Sequence, residues 1–361
     1  MANDVVGLKI GSSKMVAAQV HTNGGRRLTA IASRDVPDGV ISRGELLDPA
    51  TLAAELKTFF KESGLPKKNV RLGLASNRIG VRTIQIEGAQ SKEDLTNAVT
   101  FRAQEELSIP VMDASLDFDV VDEWTNDEGV EIRRVLVAVA YKDLVDPFDV
   151  AFREAGIRLA GMDLEALALL RALAPDIPAT GAGEEDVPRT ATVIVNVGGD
   201  HSVVAITDSR VLEYARVIDW GGSNVTAGLM EGMELDEETA QRYKHALAPG
   251  EGIPEGLAEE QVPAAREVIE TQVNSFAREL ISTLQYYQGQ EDSLAISHVV
   301  LAGGGARLGG FADSLGRLTG VPVHVGDPTT RITEVTVDQE KLEGTTRDPE
   351  LAVPIGLGLG Q

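Results

Sequence analysis

The chain has 361 residues, 43% of them hydrophobic, enough to bury a large core spread over two or more domains. Thirty-three Lys and Arg against 56 Asp and Glu leave a net charge of -23, which works against broad electrostatic binding to nucleic acid or anionic membranes. There is no cysteine, so disulfides and thiolate chemistry are excluded and a cytosolic setting is expected; no apolar run approaches the roughly 18 residues of a membrane span.

In chain order, Val5 to Ile10 reads as a strand, Gly11-Ser12-Ser13 as a tight turn and Met15 to Val20 as a second strand. Asn23-Gly24-Gly25 marks another turn before the strand Leu28 to Ser33. Asp48 and Pro49 form an N-cap and first-turn pair for a helix that carries Leu52, Leu56, Phe59 and Phe60 on one face and stops at Gly64. Strands follow at Val70 to Ala75 and Val81 to Ile86. The capping-box pattern at Ser91 to Asp94 opens a helix to about Leu107, with Leu95, Val99 and Leu107 inward and Ile109-Pro110 at its end. Two more strands, Leu116 to Asp122 and Ile132 to Ala140, flank a polar turn. Helices are expected at Asp143 to Ala155 and Asp163 to Leu173, and the Pro-, Gly- and acid-rich stretch Ala174 to Arg189 reads as a linker or surface loop.

The opening pattern then recurs: strand Thr192 to Val197, turn Gly198-Gly199-Asp200, strand Ser202 to Thr207, turn Asp208-Ser209, strand Val211 to Ile218. Aligning Ile10-Gly11 with Val197-Gly198 sets Lys9 opposite Asn196, and the two halves read as copies of one unit. Helices are expected near Ser223 to Gly232 and over Asp236 to Leu247, followed by a loop with Pro249, Gly250, Gly252 and Pro254. A long helix, Pro263 to Gln288, has Ile269, Val273, Phe276, Leu280, Leu284 and Tyr287 as one buried stripe. A buried run, His298 to Ala302, delivers Gly303, Gly304 and Gly305, then Gly309-Gly310 and a helical pattern from Phe311 to Leu318. Val321 to Val325 is a strand, and Ala352 to Gly360 a final small-residue stretch; Leu351 to Gln361 shows no basic amphipathic helix, so no self-supplied membrane anchor is expected.

Two glycine-tipped hairpins and a third glycine turn form a ligand cleft if the halves face each other. The amides of Gly11 to Lys14 and Gly198 to His201 would then converge as donors for a polyphosphate, with Lys14 adding a point charge and Gly303, Gly304 and Gly305 flanking a base or sugar. The competing reading is ordinary turns, with Ser12, Ser13 and His201 as solvated turn residues. The five histidines lack metal-ligand spacing, and no nucleophile elbow or P-loop is present.

These residues carry a family resemblance. V-V-G-L-K-I-G-S-S-K at 5–14, Q-E-E-L-S-I-P at 104–110 with D-F-D-V-V-D at 117–122, the stretch A-G-I-R-L-A-G-M-D-L-E-A-L-A-L-L-R-A at 155–172, W-G-G-S-N-V-T at 220–226 with A-Q-R-Y-K at 240–244, and L-A-G-G-G-A-R-L-G-G-F at 301–311 with V-P-V-H-V-G-D-P at 321–328 resemble the actin-like ATPase superfamily. Within it they look like the PilM family of type IV pilus assembly proteins, relatives of FtsA. The resemblance implies an α/β, actin-like ATPase fold of two duplicated α/β halves with a small α+β domain inserted in the first. The implied division is 1–86, an insert at 87–153, a return at 154–190, second-half segments at 191–225, 226–292 and 293–345, and a C-terminal return to the first half at 346–361.

The resemblance also implies ATP as the cofactor, held by Lys9, Gly11, Ser12, Ser13, Lys14, Asn196, Gly198, Gly199, Lys244, Gly303, Gly304 and Gly305. It departs from this chain at four places. The family carries aspartates at the positions of Lys9 and Asn196, a lysine at Val16 and a glutamate at Gln241. Loss of both carboxylates weakens any hold on Mg2+, and a lysine can neutralise phosphate in its place, so nucleotide binding without hydrolysis is expected and no metal or catalytic residue is assigned. The implied role is a cytoplasmic scaffold, peripheral at the inner membrane through a partner. It would bind the N-terminal tail of a PilN-like inner-membrane protein, beside the pilus assembly platform and its motor ATPase, with self-association as a further implication. The alternatives are an active ATPase or small-molecule kinase of the same superfamily, or an FtsA-like filament-forming division protein.

Overall fold

In a computed structural model of the chain, residues 4–89, 91–106, 113–175, 189–247, 258–290, 293–337 and 345–360 are described. Strands β1 (Asp4–Ile10), β2 (Lys14–His21) and β3 (Arg27–Asp35) form an antiparallel meander. A short hairpin, β4 (Ile41–Ser42) and β5 (Glu45–Leu46), follows; its two-residue strands are too brief to show a period in the sequence. Helix α1 (Pro49–Ser63) begins as expected, with the Asp48 carboxylate accepting from the Thr51 amide at 3.0 Å, and ends at Gly64 in the left-handed region, φ 70°. Its Leu52, Leu56, Phe59 and Phe60 are buried against the sheet that β6 (Lys68–Leu74) extends parallel to β1.

A separate three-stranded sheet, ordered β7-β9-β8, is built from β7 (Ile79–Glu87), β8 (Ala114–Thr125) and β9 (Glu131–Tyr141). Helix α2 (Lys92–Glu106) covers it with Leu95, Val99 and Ala103, and the Ser91 hydroxyl accepts from the Asp94 amide at its start. Leu107 and Ile109-Pro110 lie outside the described residues. Helix α3 (Lys142–Glu154) returns Phe148, Ala151 and Phe152 to the core that holds α1. By pairing and packing the insert therefore runs from β7 through β9, residues 79–141, and not 87–153: β7 bonds to β9, and α3 belongs to the first half.

After α3 comes β10 (Arg158–Leu164), parallel to β6, and then α4 (Glu165–Leu173). The helix expected from Asp163 thus starts two residues later, and the strand before it went unread. Its bulged register and half-polar pattern hide the alternation that marks a strand.

The second half repeats this plan. Strands β11 (Thr190–Val197), β12 (Ser202–Thr207), β13 (Leu212–Ile218), β14 (Ala295–Ala302) and β15 (Val323–Val325) lie in the order β13-β12-β11-β14-β15. The first sheet reads β10-β6-β1-β2-β3 plus β16 (Glu334–Val335). Removing β16 leaves the same five-strand connectivity in both, so the duplication read from the hairpins holds for the whole sheet. Because β16 pairs with β3, the chain has already crossed back to the first sheet at 334, earlier than the division at 345/346.

Helices α5 (Gly222–Met233), α6 (Glu237–Ala246) and α7 (Val262–Gln288) cover the second sheet. The expected α7 stripe, Ile269 to Tyr287, is buried throughout and packs with Trp220 and Phe311, the latter opening α8 (Phe311–Thr319). The loop with Pro249, Gly250, Gly252 and Pro254 lies outside the described residues, as does most of the expected linker. The small-residue stretch near the C-terminus forms α9 (Ala352–Gly358), wholly buried against β1, β2, β6 and α4. No helix among the described residues is long and apolar enough to cross a membrane.

Candidate functional site

The two duplicated hairpins meet tip to tip. A Cβ on Gly199 would lie 2.8 Å from Ser12 Oγ and 3.3 Å from Ser13 Oγ, so a larger residue there would make the serine hydroxyls turn away. The Gly11 amide is spent on Lys14 O at 2.8 Å and the Gly198 amide on His201 O at 3.0 Å, closing the two turns. The full set of converging donors expected from Gly11 to Lys14 and Gly198 to His201 is therefore smaller: among the described residues no protein acceptor meets the amides of Ser12, Ser13 and Gly199. Gly198 and Gly199 instead present carbonyls to α5, taking the amides of Gly222 and Ser223 at 3.0 and 2.7 Å. The contact needs Gly221, where a Cβ would lie 2.5 Å from Gly199 O.

Lys9 and Asn196 come together as the alignment of the halves implies, but around a third residue. Glu165, the first residue of α4, receives the Lys9 ammonium at 3.4 Å and the Asn196 Nδ2 at 3.2 Å on the same oxygen, Oε2. Lys9, Glu165 and Asn196 are 9%, 3% and 2% exposed. Lys9 is thus tied to a carboxylate of the protein and does not stand free to meet a phosphate, which corrects the expectation of direct neutralisation. Glu165 was missed as a site residue; a carboxylate opening a helix beside a hairpin was its only signal.

Lys9 pairs across the ladder with Val16, so Lys14, two residues before Val16, shares their face of β2. The positive charge absent at Val16 recurs at Lys14, nearer the tip, where its ammonium lies 3.9 Å from Glu350. Glu350 also meets Arg307 at 3.3 Å, and Arg307 meets Asp348 at 2.7 Å. These partners are more than forty residues away in sequence, and no local pattern signals them.

The glycine turn after β14 has a largely structural explanation. Gly303, at φ 81°, and Gly305 press on Val197, where any Cβ would collide with its backbone or side chain. Gly304 is the open one, facing Arg307 and Glu350. Lys244 on α6 reaches α5 beside the second hairpin: its ammonium donates to Thr226 Oγ1 at 2.8 Å and Gly222 O at 3.5 Å. Burial pushes its pKa below the usual lysine value, partly offset by Glu237. Next to it, burial first and then the charges of Lys244 and Arg307 push His245 down as well. Lys14 and Lys244, with the unspent amides at the tips, are groups that suit an anionic ligand.

Mg2+, which the fold family implies, does not fit. Where the family has two carboxylates this cleft has an ammonium and an amide, and its one buried carboxylate is already paired. Among the described residues no group of three His, Cys, Asp or Glu side chains is placed to hold a metal ion.

The halves are also clasped outside the triad. The Asp200 carboxylate accepts from the Arg43 amide in the β4–β5 hairpin, and His201 Nδ1 lies 2.8 Å from its other oxygen. Burial pushes the Asp200 pKa up, but the His201 contact and the Arg43 amide outweigh it and leave it below the ordinary carboxylate value. A depressed native pKa contributes stability that is complete above the unfolded value near ~3.9 and lost as pH falls through the lower native one. Asp200→Asn should therefore be less stable than the parent at pH 7, with the gap closing below about pH 4; urea midpoints at both pH values check this.

A family model described as Type IV pilus assembly protein PilM matches residues 7–361. Cell division protein FtsA of Bacillus subtilis (strain 168) is 22% identical over 266 residues, 67% of this chain and 57% of that protein, so the match spans little more than half of that relative. A chain of the PilM-PilN type IV pilus biogenesis complex superposes with a TM-score of 0.79 at 24% identity, covering 98% of this chain and 97% of that one. Ethanolamine utilization protein EutJ from Carboxydothermus hydrogenoformans gives 0.56 at 13% identity, covering 99% and 89%. MreB5 of Spiroplasma citri bound to ADP gives 0.52 at 12%, covering 98% and 94%. These likenesses establish the actin-like ATPase fold.

Proposed function

The chain belongs to the family of the type IV pilus assembly protein PilM, and from that membership we propose that it is an actin-like scaffold of a pilus assembly platform that binds the cytoplasmic tail of a PilN-like inner-membrane protein. The observation that carries the reading to a place on the surface is a cavity of about 250 Å³ between the insert and the two halves. Leu74 and Ala75 at the end of β6, Ile79 and Val81 on β7, and Tyr214 and Val217 on β13 line it. Both β7 and β13 are edge strands of their sheets, so each offers backbone donors and acceptors to an extended peptide; the lining is mixed, with Asn77, Arg82 and Arg216 beside the apolar side chains, and suits an amphipathic segment. Arg134 holds Glu213 at 2.6 Å beside it, joining insert and second half at one end of the opening.

A synthetic N-terminal peptide of a PilN-like protein should bind the full chain, and Val81→Asp should weaken it at least tenfold, about 1.4 kcal/mol. Fluorescence anisotropy reads this. Absence of binding to the parent retires the tail-binding role; unchanged affinity in the variant moves the tail elsewhere.

We propose further that Lys14, Lys244 and the amides of Ser12, Ser13 and Gly199 hold a nucleotide, with Gly304 beside its sugar or base. The inter-half position of the site would let the ligand stabilise one arrangement of the halves, so the nucleotide would serve structure and not turnover. Isothermal titration with ATP should show binding that Lys244→Ala weakens about tenfold, while a phosphate-release assay stays at background. Rapid Mg-dependent release would instead support the active ATPase reading.

A further inference from the structure

The Lys9–Glu165–Asn196 cluster joins three parts of the fold that move together only if the cleft keeps its shape: β1 of the first half, β11 of the second, and α4 beside both. Lys9 and Asn196 occupy equivalent positions in the two copies, and both converge on Glu165 Oε2, at 3.4 and 3.2 Å. Glu165 is the buried anion at the base of the cleft, and left alone it would repel any phosphate placed between the tips. In a metal-dependent site a divalent ion cancels such charge; here an ammonium, fixed to the fold and less than a tenth exposed, already does so.

We infer that Lys9 is the resident cation of this cleft, cancelling Glu165 so that a nucleoside polyphosphate binds without a divalent ion. The inference rests on the nucleotide reading above. Lys9 is a positioning residue: it acts through Glu165, leaving the phosphates to Lys14, Lys244 and the tip amides. A dication entering the cleft would meet an ammonium where the family has a carboxylate, and would find no unpaired carboxylate in the cluster. A second consequence is electrostatic order without a ligand, since Glu165 holds Lys9 of the first half and Asn196 of the second on one oxygen in the free protein.

Fluorescent ATP and ADP analogues titrated into the full chain, in EDTA and then in MgCl2, test this with no variant at all. Affinities within threefold of each other are expected. Tightening of tenfold or more by Mg2+ overturns the inference and leaves the cleft reading intact; no binding in either buffer overturns both. In EDTA, Lys9→Met should weaken binding at least tenfold by exposing the phosphates to Glu165, and Lys9→Met with Glu165→Gln should recover to within threefold of the parent. Parent-like binding by the folded single variant would overturn the inference. Should that variant fail to fold, the parent titrations and the double variant decide: parent-like affinity of the double variant in both buffers is expected, and a double variant that gains Mg2+ dependence of tenfold or more overturns the inference.

Discussion

Lys9→Met should unfold about 3–5 kcal/mol more easily than the parent, and Lys9→Met with Glu165→Leu should recover most of that loss. The single change leaves a carboxylate 3% exposed with one amide and a helix N-terminus as its remaining stabilisation. The Asn196 contact is a neutral donor at 3.2 Å, and the partial charge at the start of a nine-residue helix is worth well under the cost of a bare buried charge. Removing both partners takes the charges out together, and a double-mutant cycle isolates the pair. Urea denaturation followed by circular dichroism gives all four midpoints. A single-variant loss below about 1 kcal/mol would mean that water reaches Glu165 and that the pair contributes like a surface ion pair.

The second large effect concerns Gly356. A Cβ there would fall inside the backbone carbonyl of Ala168, so α4 and α9 lie nearly in backbone contact. Overpacking a core usually costs about 1–3 kcal/mol because side chains yield; a carbonyl of a neighbouring helix does not yield, and α9 is hemmed in on its other side by β1, where Gly7 meets Pro354 O with equal closeness. Gly356→Ala should therefore cost more than about 3 kcal/mol and displace α9. Gly316→Ala, in the middle of α8 with its nearest neighbour at 3.6 Å, is the control. It should be neutral or stabilising by up to about 1 kcal/mol, since a helical glycine without a steric duty only adds unfolded-state entropy. Comparable losses in the two variants would remove the packing explanation.

The nucleotide and tail proposals connect through the same architecture. The cavity beside β7 and β13 is bounded by both halves and the insert, while the triad and the Asp200–Arg43 clasp join the halves at the cleft. A ligand that changed the opening between halves would change the cavity walls, giving the two sites a common element to act on.

Periodicity, caps and turn residues sufficed for most elements of this protein: the α1 limits from Asp48 and Gly64, the α7 stripe, and the paired hairpins that disclosed the duplication. These are local matters, settled by backbone hydrogen bonding and by which face carries apolar side chains, and a linear sequence states them directly. The sequence also determined that Lys9 and Asn196 are equivalent, because equivalence of repeats needs only alignment. Tertiary structure alone decided what those residues touch. That Lys9 pairs with Glu165, that Lys14 lies by Glu350, that Gly303 and Gly305 pack closely on Val197, and that β7 and α3 divide the insert from the first half all depend on contacts between distant segments. A charge acts through space, falling off with distance and burial and not with sequence separation, so its partner is fixed only when the sheets and helices that carry both have packed.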